Sequence, residues 1–192
     1  MSVNAGMVNR LASTNIQTFP QGNLSSATLH GQLKELSDLD AAKLSAMPAG
    51  TILQTLQAGK STQFSTSSGT PADITGLSKA ITPAASANQI LVRAVVQMAV
   101  GVDTALRIVR DSTAIGVGTD GSIATFAYAA LGNNNTMITY CFEFLDSPGD
   151  TSAHTYKVQM WVTGGGTGYV NRRAGSTDAC GYSSITVMEV KG

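Results

Sequence analysis

The chain has 192 residues, no net charge, and 12% charged side chains against 43% apolar ones. That balance excludes a disordered polar tract and argues against a nucleic-acid partner, whose affinity rests mainly on neutralised phosphates. A chain this long can bury its own core, and its thin charge leaves a surface of hydroxyls, amides and backbone suited to packing against copies of itself.

Residues 2–28 are polar and aperiodic and read as an extended arm. The opening MSVNAGMVNRL lacks the apolar core behind a positive leader that a secretory signal needs. Leu29, Leu33, Leu36 and Leu39 then recur at helical spacing, with Lys34, Glu35, Asp38 and Asp40 between them. They predict a short helix over about 29–46, capped near Ser25 or Ser26 and stopped at Met47-Pro48-Ala49-Gly50. Its narrow stripe either packs on its own domain or forms the seam of a three-stranded bundle in a trimer. Residues 1–50 are thus an attachment arm ahead of a β domain over 51–192.

From Thr51 the punctuation is that of strands. ILVRAVVQMAV (90–100) reads as a strand buried on both sides, and with Arg93 and Gln97 inside it cannot span a bilayer. LRIVR (106–110) is a second strand. STAIGVGTDGS (112–122) then sets Gly116, Gly118 and Gly121 at the G-x-G-x-x-G spacing of a dinucleotide loop. Such a loop opens directly into a helix whose N-terminus meets the pyrophosphate. Here SIATFAYAALGNNN breaks at a Gly-Asn pair before a helix of that length fits, and Thr125, Phe126 and Tyr128 favour strand. Glu143 lies within a strand, not at the end of one. The glycines read as turns, and no cofactor is expected.

TMITYCFEFLD (136–146) puts Ile138, Tyr140, Phe142 and Phe144 on one face and Met137, Thr139, Cys141 and Glu143 on the other. TYKVQMWV (155–162) alternates in the same way, with Tyr156, Val158, Met160 and Val162 opposite Lys157, Gln159 and Trp161. SITVMEV (184–190) closes the set. The gaps TPAASANQ, RDST, LGNNN, DSPGDTS and TGGGTG carry turn chemistry. Eight or nine short strands with a turn in every gap predict an all-β fold, an antiparallel β-sandwich or jelly roll.

Few residues suggest chemistry. Ser152, Asp150 and His154 adjoin, yet hydroxyls beside Asp and Gly cap turns, and spacing alone makes no triad. Asp146 and Asp150 flank a Pro-Gly turn and read as solvated, with a weak calcium site as the alternative. Cys141 and Cys180 read as two buried thiols, or as a pair if the fold joins them. Neither C-x-x-C nor H-x-x-x-H occurs, and His30 stands alone near the N-terminus. No catalytic or metal-binding residue is expected. GGGTGYVNRR (164–173) holds the adjacent Arg172 and Arg173 beside Tyr169 and Asn171. With Asn133, Asn134 and Asn135 these form candidate exposed loops for a glycan or protein. The alternative for the arginine loop is an inter-subunit ion pair or a solvated hairpin.

Several stretches together carry a resemblance: ITPAASANQILVRAVVQMAVG, LRIVRDSTAIGVG, FLDSPGDTSAHTYKVQ, YVNRR and the closing SSITVMEVKG. Over residues 50–192 the chain resembles a β-sandwich module of tailed-bacteriophage virion proteins, common in phages of cyanobacteria and marine bacteria. The resemblance implies a structural protein of fibres and surface projections, usually trimeric and without catalytic residues. The expectation is a homotrimeric knob on the virion surface. In the first reading it is a capsid decoration or cement protein (a head fibre) that holds the major capsid protein, or another virion protein, through residues 1–50. In the second it is a short tail fibre or receptor-binding tip touching host surface polysaccharide. The reading from a different class is a carbohydrate-binding module or glycan-acting enzyme. Threefold closure also answers a physical need, because few charges guard the edge strands of this sandwich.

Overall fold

The computed structural model describes residues 28–100, 102–120, 125–129 and 136–192. The expected arm over 2–28, apart from Thr28, lies outside the described residues, as do Gly121 and the loop residues Asn133, Asn134 and Asn135. The chain divides into two units between Met47 and Pro48.

The first unit holds helix α1, Leu29–Ala46. Its cap is Thr28, whose Oγ1 accepts the Gly31 N–H at 3.1 Å and whose carbonyl accepts that of Gln32. The Gly31 N–H is a first-turn donor that the helix itself cannot satisfy, and the Gln32 bond is the first of the helix ladder. Ser25 and Ser26, the expected caps, lie outside the described residues. Lys34 and Asp38, one turn apart, pair at 2.8 Å on the exposed surface, where solvent screening leaves such a pair weak. The four leucines of the predicted seam lie on this helix, and Leu33 is exposed. No described helix is long and apolar enough to cross a membrane.

The second unit is all-β among its described residues, with two antiparallel sheets packed face to face. Sheet A contains β1 (Ile52–Lys60), β2 (Phe64–Thr66), β4 (Gln89–Val100), β8 (Ile138–Asp146), β10 (Gly168–Val170) and β11 (Ser183–Val190). Sheet B contains β3 (Ala72–Ile81), β5 (Thr104–Arg110), β6 (Thr113–Ile115), β7 (Ala127–Ala129) and β9 (His154–Val162). Sheet A runs β1-β11-β4-β10-β2, and β8 also pairs with β4. Strand β4 is the spine: β11 pairs with its first seven residues and β10 with its last three, while β8 pairs along nine residues without a register break. Sheet B runs β3-β9-β5-β6, with β7 beside β6 on β5.

Period-two alternation sends one set of side chains inward from each long strand. Val92, Val96 and Met98 of β4, Ile185 and Val187 of β11, Leu106 and Ile108 of β5, and Val158 and Met160 of β9 are fully buried together. Each such side chain stabilises the fold by roughly 1.5–3 kcal/mol relative to exposure. β3 adds a bulge: Asp73 pairs with Gln159 and Ser78 with Lys157, leaving Ile74 to Leu77 opposite a single residue. The extra length lets Ile74 and Leu77 both enter the core.

β4 corrects one expectation. It is buried all along one face, while on the other only Ala99 is buried, Leu91 and Val95 are half-buried and Arg93 is exposed. The apolar run reflects an outer sheet surface that no described element of this unit fully covers.

Of the glycines in the dinucleotide-like spacing, Gly116 stands at a bend, whereas Gly118 lies in irregular loop outside any turn. Gly116 ends β6 at φ 62°, and a Cβ there would stand 2.7 Å from both the Phe126 and Phe144 rings. Gly118 has open space around it and no left-handed backbone. Gly116→Ala is therefore expected to cost about 2 kcal/mol, from αL strain and overpacking, and Gly118→Ala within ~0.5 kcal/mol of zero. Urea unfolding of the two variants checks this. Equal costs would mean that the glycines share a role.

Candidate functional site

The arginine loop comes first. Val170 ends β10 in the core, and Asn171 turns the chain at φ 59°. Asn171 is fully buried, where an exposed loop residue was expected. Its Nδ2 donates to the carbonyls of Lys60 at 2.8 Å and Thr62 at 3.2 Å, its Oδ1 accepts the Ser183 hydroxyl at 2.6 Å, and its N–H donates to Gln97 O. An asparagine tolerates the left-handed region and satisfies its own amide there. Gly181 N–H donates back to Asn171 O at 3.0 Å, so the loop over 172–180 closes at its base like an Ω-loop. Within it, Arg173 forks onto both oxygens of Asp178 at 2.7 and 2.5 Å. The Arg172 guanidinium lies 4.6 Å from the Tyr169 ring centroid, a favourable cation–π distance. The arginines thus close on their own loop rather than forming the bare, solvated hairpin considered from sequence.

The second cluster gathers the candidate triad. His154 is buried; its Nδ1 faces Asp111 Oδ2 at 2.9 Å and its Nε2 faces Asp150 Oδ1 at 3.1 Å. Asp150 also accepts the Ser152 backbone N–H at 2.6 Å, an Asx-type turn. Both ring nitrogens are spent on carboxylates, so His154 has no nitrogen left to activate Ser152. Asp111, at φ 55°, accepts the Thr155 N–H at 2.8 Å and thereby ties the β5–β6 turn to β9. The arrangement clamps the 147–153 loop to that turn.

Its electrostatics give a pH signature. The Asp111 hydrogen bond raises the His154 pKa above its ordinary value; burial opposes that and the Asp150 bond adds to it. The His154 bond lowers Asp111, and the Ser152 backbone bond lowers Asp150. A raised folded-state pKa gives stability that is complete below the unfolded value of about 6.5 and lost as pH rises through the folded one. The melting temperature is expected to fall across that alkaline window, and His154→Phe should abolish the fall. The two carboxylates act oppositely, their contribution fading only as pH drops below the ordinary aspartate range. A flat melting profile between about pH 6 and 9 would contradict the clamp.

Asp146 is not the solvated turn residue that DSPGD suggests. It is buried at the end of β8, and one oxygen accepts both the Tyr156 hydroxyl at 2.6 Å and Arg110 Nη1 at 2.7 Å. Asp146 belongs to sheet A and its two partners to sheet B, so this contact crosses the sandwich. Burial first, and then the Asp146 hydrogen bond, push the Tyr156 pKa far up, which keeps that phenol a permanent donor. Asp146 and Asp150 therefore have different partners, the sheet-crossing Tyr156 and Arg110 for one and the His154 cluster for the other. Among the described residues no three His, Cys, Asp or Glu side chains are arranged to hold a metal.

Glu189, which sequence reasoning passed over, is the most buried carboxylate among the described residues. On the inner face of β11, its Oε1 accepts Ala84 N–H and Asn88 Nδ2, and its Oε2 accepts Gln54 Nε2, all at 2.6 Å. Burial alone would raise its pKa, but the three donors outweigh it and the net shift is downward. Asn88 also receives the Gly192 N–H at 3.2 Å, and Gln54 reaches Thr82 O at 2.9 Å. One carboxylate thereby holds β1, the 82–88 loop and the C-terminus. The signal was present in SITVMEV, where Glu189 falls in phase with Ile185 and Val187.

Cys141 and Cys180 are free and exposed rather than buried, Cys141 on the outer face of β8 and Cys180 at the Ω-loop base.

The outer faces of the two sheets differ sharply. On sheet B, Lys157 and Gln159 both donate to Asp73 at 2.8 and 2.6 Å, and Arg107 donates to Gln159 at 2.8 Å while lying 5.6 Å from the Trp161 ring. That surface is a hydrogen-bonded lattice suited to water. On sheet A, the Ω-loop occupies one end, where the Tyr182 ring lies across Gly59 too closely for any Cβ. At the other end Ile52 (53% exposed) and Leu145 (43%) flank the half-buried Val190, Met188 and Leu91.

No protein-family model matches the chain, and no curated protein matches it.

Proposed function

We propose that the protein is a structural component of a tailed-phage virion surface: a trimeric jelly-roll knob that decorates and cements the capsid through its N-terminal segment. The observation that carries this reading is the use to which its polar side chains are put. Glu189, Asp146 and the His154 cluster each fasten a loop or join the sheets, which suits a shell component under mechanical stress. The low charge, the sequence resemblance over residues 50–192 and the uncovered face of sheet A agree with a knob built to pack. Function is then mechanical: each bound trimer stabilises the expanded shell by mass action, and three attachment segments acting together strengthen anchoring without new contacts.

The experiment is the copy number of this chain relative to the major capsid protein in purified particles. A ratio near that of the shell protein is expected for a decoration protein. A ratio far below it places the knob on a tail or vertex fibre and overturns the cement reading. Absence from particles overturns the virion reading altogether. In a parallel assay, deleting residues 1–28 is expected to leave the sandwich folded and unable to join the particle.

A further inference from the structure

We propose that His154 is a one-sided pH latch. Protonated, its ring holds the β5–β6 turn through Asp111 and the 147–153 loop through Asp150; neutral, it keeps the turn and releases the loop.

The number of donors carries the first half. Nδ1 stands 2.9 Å from Asp111 Oδ2 and Nε2 stands 3.1 Å from Asp150 Oδ1. Only the imidazolium has two N–H groups; the neutral ring has one, and its other nitrogen presents a lone pair. Once the ring loses a proton, one of the two carboxylates faces that lone pair, and attraction becomes repulsion. The closed arrangement therefore belongs to the charged ring.

Which carboxylate stays depends on what else holds each. Asp111 Oδ1 accepts the Thr155 N–H at 2.8 Å, and the Asp111 N–H donates to Thr155 O at 2.7 Å, so β9 grips this residue through its own backbone. Arg110, the preceding residue, adds a favourable positive charge. Asp150 has no such anchor. Its other bond, from the Ser152 N–H, lies inside the loop and moves with it. Among the described groups, the ring is the only positive charge that favours Asp150. Among the described residues, it is also the only hydrogen-bond partner that residues 148–153 have outside their loop. Gln89 Nε2 holds the base of the loop at Ser147 Oγ, 3.0 Å away. Gly149, at φ 82° with open space around it, gives the freed segment a pivot. The neutral ring is thus the Nδ1–H tautomer, still donating to Asp111.

No neighbouring group competes for the switch. On β3, Ile81 is the register partner of His154, and the nearest charge of that strand, the half-buried Lys79, pairs instead with Tyr156. At the end of β8, Asp146 is occupied by Tyr156 and Arg110. The Asp111 and Asp150 pKa values are lowered and that of Tyr156 is pushed far up. The imidazole is therefore the group of this cluster that changes charge nearest neutrality. Because the Asp111 hydrogen bond raises its pKa, the latch is closed below about pH 6.5 and opens as pH rises through the raised value.

The test uses the full chain. With His30→Gln, one histidine remains, and long-range 1H–15N spectra read its tautomer, expected to be Nδ1–H at the alkaline limit. In a second protein, with Cys141→Ser and Cys180→Ser, a nitroxide on Thr151→Cys reads the loop. Its ratio of mobile to immobile signal is expected to rise about tenfold between about pH 6 and pH 9, the size of one lost charged hydrogen bond. Adding Asp150→Ala, at an exposed position, is expected to leave the label mobile at both limits. An Nε2–H tautomer would reverse the two sides and overturn the assignment. A ring still doubly protonated at the alkaline limit overturns the latch. So does a label that ignores pH while the ring titrates, or one that stays immobile in the Asp150→Ala protein.

Discussion

Replacing Glu189 by leucine is expected to lower the unfolding free energy by about 3–5 kcal/mol, enough to remove a large fraction of the stability of a domain this size. The leucine fits an apolar neighbourhood, so the cost arises in what it abandons. The Gln54 and Asn88 amides and the Ala84 N–H all lose their acceptor at once, and each buried orphan costs about 1–3 kcal/mol. Glu189→Gln separates charge from shape. Its single carbonyl oxygen replaces Oε1 for Ala84 and Asn88, while its NH₂ meets Gln54 Nε2 donor against donor, at an expected loss of about 2 kcal/mol.

The acid limb follows from the same contacts. Because the folded-state pKa of Glu189 lies below its ordinary value, its contribution is complete above the ordinary glutamate range and is lost as pH falls through the folded value. The Glu189→Leu variant should lack that component of acid unfolding. Urea titration followed by Trp161 fluorescence measures all three proteins, since that ring is nearly buried in the native state. A Glu189→Leu loss under about 1 kcal/mol would mean that the 82–88 loop is not held by this carboxylate.

What the sequence revealed and what it hid divide along physical lines. β8 and β9 were readable because their inward and outward residues differ in polarity, as in Phe142 against Glu143 and Val158 against Gln159. β4 was misread because Leu91 and Val95 are apolar on the outward face as well, so its alternation of polarity disappears. The three-residue strands β2, β6, β7 and β10 have no periodicity of their own. They exist because long neighbours such as β4 and β5 offer unpaired backbone to them. Asn171 looked like a loop residue because the conformation that buries it, a left-handed turn filled by its own amide, leaves no trace in composition. Asp146 looked like turn punctuation because its partners, Arg110 and Tyr156, come from other strands. The side chains that do structural work here are joined by topology, not by sequence spacing.

Asp146 gives the second large effect. Asp146→Ala is expected to cost about 3–5 kcal/mol, the range for breaking a buried ion pair by removing one partner. Two groups are stranded: the Tyr156 hydroxyl on a fully buried ring, and Arg110, whose side chain is 23% exposed. Arg110 recovers part of its hydration at that edge, but the phenol has no route to water. Asp146→Asn should be milder, about 1–2 kcal/mol, because both donors converge on one oxygen and an amide carbonyl can stand in its place. The decisive comparison is a double-mutant cycle with Tyr156→Phe. In the wild type, removing that hydroxyl forfeits a charge-assisted hydrogen bond and should cost about 1.5–3 kcal/mol. In the Asp146→Ala background the same change removes an orphaned donor and should cost nothing or stabilise. A coupling energy of at least ~1.5 kcal/mol is therefore expected from urea unfolding of the four proteins. Additive costs would show that Asp146 and Tyr156 act independently, and that apolar packing alone holds this end of the sandwich together.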